Sequence, residues 1–117
     1  MRLKSRRSKA CDFTEKVKKQ IRERDGGCIF CQLGYMLPPE DEFMMETHNL
    51  QTMHFIPRSQ GGLGIPENGA VGCWWHHNMM DNGNLDNRED MLLIFETWLK
   101  KHYENWNKDD LKYNKWR

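Results

Sequence analysis

The run Cys73-Trp74-Trp75-His76-His77 decides how this chain is read. Upstream lies a knuckle, Cys28-Ile29-Phe30-Cys31, so Cys28, Cys31, Cys73 and His76 compose C-x2-C followed by C-x2-H. Structural zinc takes four soft or borderline ligands in a tetrahedron, and two knuckles of this spacing supply two each. Adjacent residues on one backbone do not converge comfortably on one ion. His76 is therefore expected to close the zinc site, and His77 to face a second, catalytic metal. The alternative is a Cys28/Cys31 redox pair beside ordinary core residues at 73 and 76.

Working outward, Leu50-Gln51-Thr52-Met53-His54-Phe55-Ile56 reads as a strand that Pro57 ends, because β-branched, apolar and aromatic residues cluster there. Arg58 to Gly69 is a glycine-rich connection, and Ala70-Val71-Gly72 is a short second strand leading into Cys73. A short helix is expected from His76 or His77 to Asn82-Gly83. Arg88 to His102 carries Met91, Leu92, Phe95, Trp98 and Leu99 at helical spacing, an apolar face for the core. Asn107 to Leu111 carries a helix cap, followed by the aromatic and basic end Tyr113, Lys115, Trp116 and Arg117.

Residues 1–11 read as a basic flexible arm. Asp12 with Glu15 resembles a capping box, and Phe13, Val17 and Ile21 then give a helix over about 13 to 24, stopped by Asp25-Gly26-Gly27. Lys16, Lys18, Lys19, Arg22 and Arg24 are expected on its wet faces. Pro38-Pro39-Glu40-Asp41-Glu42 is a turn or loop. The fold class is α+β: one small domain over 12–117, with a basic helix before the core and an amphipathic helix after it. A core in 117 residues benefits from a metal staple.

The net charge of +1 conceals an asymmetry: residues 1–24 hold ten Lys or Arg against three acids. Such a footprint suits nucleic acid, with a solvated tail as the plain alternative. No apolar run reaches the roughly 18 residues of a membrane span. The basic start lacks a following apolar segment, so no secretory signal is read and a cytoplasmic location is expected. That location keeps thiols reduced, which favours metal over disulfides. Cys11 stands apart as a small packed residue at a helix flank. His48 is read as a plain surface histidine, and Trp74 and Trp75 as packing around the zinc.

His54, then Pro57, Gly61-Gly62, Asn68 and Cys73-x-x-His76-His77 together resemble the HNH endonucleases of the ββα-metal class, zinc-bearing and free-standing as in phage and bacteria. His54 to Asn68 is fourteen residues and Asn68 to His77 nine, and the likeness covers residues 25–82. The resemblance implies a metal-dependent enzyme hydrolysing DNA phosphodiester bonds with low sequence specificity, nicking as a monomer or cutting both strands as a homodimer. RNA shares the phosphate chemistry and stays open.

Chemistry supports particular roles. An imidazole of near-neutral pKa suits deprotonation of the attacking water, so His54 is the expected general base. A divalent cation such as Mg²⁺, Mn²⁺ or Ni²⁺ neutralises developing charge, with His77 as ligand. The resemblance gives Asn68 the task of tethering the loop between the strands. It also places an acidic or imidazole ligand just before the base, where this chain has Met53, a poor partner for a hard cation. Asp81, one helical turn beyond His77, is the expected replacement, and Asn78 and Asn82 are lesser ones. Arg58 is read either as a clamp for a phosphate oxygen or as a solvent-facing loop arginine, and Arg6, Arg7, Lys18, Lys19 and Arg22 are expected to grip the backbone. Met53 also keeps open a catalytically inactive zinc-stabilised module that binds nucleic acid or a protein partner.

Overall fold

A two-stranded antiparallel sheet sits at the centre of the computed structural model, which describes residues 5–37, 50–82 and 85–114. The expected turn at 38–42, His48, Gly83 and the end at 115–117 lie outside those residues. Strand β1 (Leu50–His54) pairs with β2 (Gly69–Cys73), with Leu50 opposite Cys73 and His54 opposite Gly69. The pleat sends Met53 into the core while Thr52 and His54 take the other face. β1 stops at His54, two residues short of the expected end. Beyond it the Phe55 N–H donates to the Asn68 carbonyl at 2.8 Å and the chain turns away.

Before the sheet come three helices: α1 (Arg6–Cys11), α2 (Glu15–Asp25) and α3 (Ile29–Gln32). The expected flexible arm is thus helical from Arg6 onward, capped where the Ser5 hydroxyl accepts from Ser8 N–H at 3.1 Å. The expected Asp12 cap is also corrected. Thr14 caps α2, its hydroxyl accepting from Val17 N–H at 3.2 Å, while extended Asp12 closes α1 and pairs with Arg58. Gly26, at φ 74°, ends α2 in the left-handed conformation that glycine adopts without strain.

β2 runs directly into α4 (Trp74–Asn82), and α5 (Leu85–His102) follows. α4 begins at Trp74, earlier than expected, so His76 and His77 both lie in its opening turn. α5 buries Met91, Phe95, Trp98 and Leu99 against Phe30, Met53, Ala70 and Cys73, the expected apolar face. Each such side chain contributes on the order of 1.5–3 kcal/mol when fully removed from water. Phe55 meets Phe95 and Trp106 edge-on at 5.3 and 5.6 Å between centroids. A 3-10 turn, Lys108–Leu111, is capped by the Asn107 side chain.

Arg24 departs from its expected wet face. It and Asp25 make a buried polar latch between α2, the sheet and α5. Asp25 accepts from Val71 N–H at 2.8 Å and from the Trp98 indole at 2.8 Å. Arg24 donates to Asp25, to the Pro66 and Gly69 carbonyls, and to the Tyr103 hydroxyl. Every strong acceptor there has a donor, the condition for polar groups to persist in a core. No helix among the described residues is long and apolar enough to cross a membrane.

Candidate functional site

Three elements deliver the metal ligands. Cys28 sits at the N-cap of α3 and Cys31 within it, Cys73 ends β2, and His76 lies in the first turn of α4. Their ligand atoms all lie within 4.8 Å of one another, the one such cluster of three or more among the described residues. His76 Nδ1 stands 3.5 Å from Cys28 Sγ, 3.5 Å from Cys31 Sγ and 3.3 Å from Cys73 Sγ.

The tautomer follows from the other face of the ring. His76 Nε2 lies 2.6 Å from the Tyr35 carbonyl, which only accepts, so Nε2 carries the proton. The Nδ1 lone pair therefore faces three sulfurs, an arrangement that calls for a cation. Cys31 and Cys73 sulfurs are 3.8 Å apart, and tetrahedral ligands at about 2.3 Å from zinc are themselves about 3.8 Å apart. These residues are positioned to bind a metal ion, and their chemistry suits structural zinc.

Electrostatics lead to the same point. Cys28 is held below the ordinary thiol range, first by a hydrogen bond from Cys73, while Cys73 is pushed up to about 12 by that same bond and by burial. Crowded thiols without an ion resist shedding all their protons, and a cation reverses that resistance. Phe30 lies against the His76 ring, with centroids 5.3 Å apart. Trp75 fills the rim and donates its indole N–H to the Met36 carbonyl at 3.0 Å. Trp74 differs from its expected packing role, being 44% exposed.

On the other side of α4 lies a cleft of about 200 Å³ whose walls include His54, Arg58, His77, Asp81 and Arg88. His54 closes β1, and its ring lies over Phe13 at 4.0 Å between centroids. His54 Nε2 donates to the Cys11 carbonyl at 2.8 Å, which fixes the tautomer and leaves Nδ1 as the acceptor. Burial first, and the Arg58 charge second, lower the His54 pKa; the hydrogen bond to Cys11 and the charge of Asp12 oppose them. The neutral imidazole is the dominant form at neutral pH.

His77 Nε2 and Asp81 Oδ2 approach to 3.0 Å across one helical turn. The pair is held directly, imidazole to carboxylate, at the mouth of the cleft. Met53 is 2% exposed and packed in the core. A side chain added at Gly72 would collide with its sulfur, so Met53 is a packing residue of the sheet.

Asn68 is fully buried and spans the loop between the strands. Its amide oxygen accepts from Ile56 N–H at 2.8 Å, and its nitrogen donates to the Ile56 and Leu63 carbonyls at 3.2 and 2.8 Å. It does not itself line the cleft. Arg58 is held by the Asp12 carboxylate at 2.5 Å. Arg7 reaches the Arg58 and Ser59 carbonyls at 3.4 and 3.2 Å.

The remaining basic residues are not brought to the cleft. Arg6 and Arg22 are exposed, Lys18 pairs with Glu15 at 3.5 Å, and Lys19 pairs with Glu23 at 3.9 Å. The sequence reading missed Cys11, Asp12 and Phe13 as neighbours of His54. It also missed Arg88, which enters the cleft from α5 and donates to the Met80 carbonyl at 2.8 Å. No spacing signal joins segments this far apart. Comparison with protein-family models, with curated proteins and with solved structures returned no match.

Proposed function

We propose that this chain is a metal-dependent endonuclease of the HNH type that hydrolyses DNA phosphodiester bonds. One observation carries the reading: a strand-end histidine, a helix-borne His–Asp pair and an arginine line a single cleft beside a cluster of three cysteines and a histidine positioned to bind a metal ion. The antiparallel pair leading directly into a helix is the arrangement a ββα-metal unit requires. Cys28, Cys31, Cys73 and His76 would hold zinc, which would act as a structural staple between α3, β2 and α4.

In this reading His54, neutral and with Nδ1 free to accept, takes the proton of the attacking water. The Cys11 carbonyl and the Phe13 ring hold the imidazole in place while the charge on it changes. His77 and Asp81 would hold a divalent cation, which supplies Lewis-acid stabilisation of charge on phosphate oxygens. Arg58 faces the same cleft and offers guanidinium N–H groups to a phosphate oxygen. Asn68 acts only on the loop, keeping the residues after His54 in register. One such site cuts one strand, so nicking is expected of a monomer and double-strand cleavage of a dimer.

A second reading has its own observation. With Met53 in the core, the cleft offers two metal donors, which suits a zinc-stabilised nucleic-acid-binding module without catalysis. Supercoiled plasmid separates the two. Zinc-loaded protein with Mg²⁺, Mn²⁺ or Ni²⁺ should give nicked circles, and His54→Ala and His77→Ala should lose that activity by 10²-fold or more, as general-base and metal catalysis imply. Absence of cleavage with every metal overturns the enzyme reading.

A further inference from the structure

Beside the cleft is a second cavity, of about 270 Å³, walled by Ser5, Arg7, Ser8, Cys11, Arg58 and Ser59. Two arginines and three serines line it, and no carboxylate does among the described residues. Such a lining recognises a phosphodiester: charge from arginine, hydrogen bonds from hydroxyls. The cavity abuts the proposed active site through two residues. Arg58 lines both spaces. Cys11 lines the second while its carbonyl holds His54 of the first.

Within this cavity Arg7 is pre-positioned, since two carbonyls fix its guanidinium beside the turn at Arg58–Gln60. Arg58 is held differently. Its N–H groups are directed to the Asp12 carboxylate and the Ser8 hydroxyl, with Asp12 one residue past the end of α1. Asp12 occupies the electrostatic place that a phosphate would take. Because the Arg58 side chain is half exposed, that ion pair is weak and exchangeable.

We infer that the cavity of Ser5, Arg7, Ser8, Arg58 and Ser59 is a second phosphate seat, which takes a phosphate adjoining the one at His54 on a bound DNA strand, with Arg58 exchanging Asp12 for the DNA backbone. The inference rests on the nucleic-acid reading of the cleft and extends it. α1 then acts as part of the binding surface, and Asp12 as a built-in competitor that keeps affinity moderate and salt-sensitive.

Fluorescence anisotropy of a labelled DNA duplex tests this on the zinc-loaded full chain with no other divalent metal added. Arg7→Gln should weaken binding about fivefold or more and lower the slope of log K against log salt by about one, the signature of one lost phosphate contact. Ser59→Asp, which adds a carboxylate at an exposed position of the wall, should weaken it at least as much. Asp12→Asn should tighten binding about threefold. Lys108→Gln, an exposed charge lost outside both cavities, is the control.

If Arg7→Gln and Ser59→Asp bind as Lys108→Gln does, or if Asp12→Asn weakens binding with unchanged circular dichroism, the seat is overturned. Plasmid cleavage by wild type together with such results would leave the nuclease standing without the seat. The expected binding changes without cleavage would leave the seat standing and remove catalysis. A wild-type chain that does not bind DNA removes the seat.

Discussion

The His54 imidazole is anchored to the backbone carbonyl of Cys11, 43 residues earlier, at 2.8 Å. This bond places the end of β1 under the control of the segment that joins α1 to α2. The same segment supplies Phe13 beneath the ring and Asp12 opposite Arg58. A group poised to accept a proton thus has its tautomer, its orientation and its charge environment set by three consecutive residues.

The first prediction concerns pH. Burial lowers the His54 pKa, so its folded value lies below the unfolded value near 6.5. The unfolded chain then binds the proton more tightly, and this group's share of stability is present above about pH 6.5 and lost as pH falls below it. Plasmid nicking should rise through an apparent pKa below about 6.5 and level off by neutral pH. Arg58→Gln should move that midpoint up, because the Arg58 charge lowers it, and Asp12→Asn should move it down. Shifts of the opposite sign would remove His54 as the titrating base.

Zinc should be separable from catalysis. One equivalent of zinc is expected by elemental analysis, and a strong chelator should lower the melting temperature while making the thiols of Cys28, Cys31 and Cys73 reactive toward a disulfide reagent. Folding and binding are coupled in sites of this type, with apparent metal affinities of about 10–16 kcal/mol in small zinc domains. Cys28→Ser should therefore lose most of its zinc and its cooperative unfolding. A stable, zinc-free, cooperatively folded Cys28→Ser would refute the structural ion.

Asp25 should be among the most sensitive positions outside both candidate sites. Asp25→Ala would leave Val71 N–H, the Trp98 indole and the Arg24 guanidinium without their shared acceptor inside the core. Removing one partner of a buried, hydrogen-bonded charge pair costs about 3–5 kcal/mol. Urea unfolding should show a loss of that size, and a loss under about 1 kcal/mol would mean that the latch is not holding α2 to the sheet.

What was legible in the sequence had short-range signals. Cys28-x-x-Cys31 and Cys73-x-x-His76 announce a shared ion by spacing, and Met91, Phe95, Trp98 and Leu99 announce a buried helical face by period. His77 and Asp81 meet because they lie one helical turn apart. The Arg24–Asp25 latch was not legible, since a charged pair at a helix end ordinarily faces water and only the return of β2 and α5 encloses it. Nor was the ordered α1: a basic hexamer has little helical drive of its own, and it is docked by Cys11 burial and by contacts with Arg58 and Ser59.

Two glycines should separate close packing from backbone conformation. Gly64 donates its N–H to the Ala10 carbonyl at 2.9 Å, and a methyl group there would fall on the Asp12 carbonyl carbon and oxygen. Both partners are backbone, so Gly64→Ala must push the α1–α2 link away from the loop, and Cys11 and Phe13 with it. Overpacking of this sort costs about 1–3 kcal/mol, and displacement of the His54 anchor should lower nicking more than it lowers stability. At Gly26 the space is open and only the φ of 74° resists a side chain. Gly26→Ala should therefore cost about 1 kcal/mol, the usual penalty for placing a side chain in that conformation, with nicking by the folded protein unchanged. Equal activity losses in the two variants would show that the α1–α2 link does not position His54.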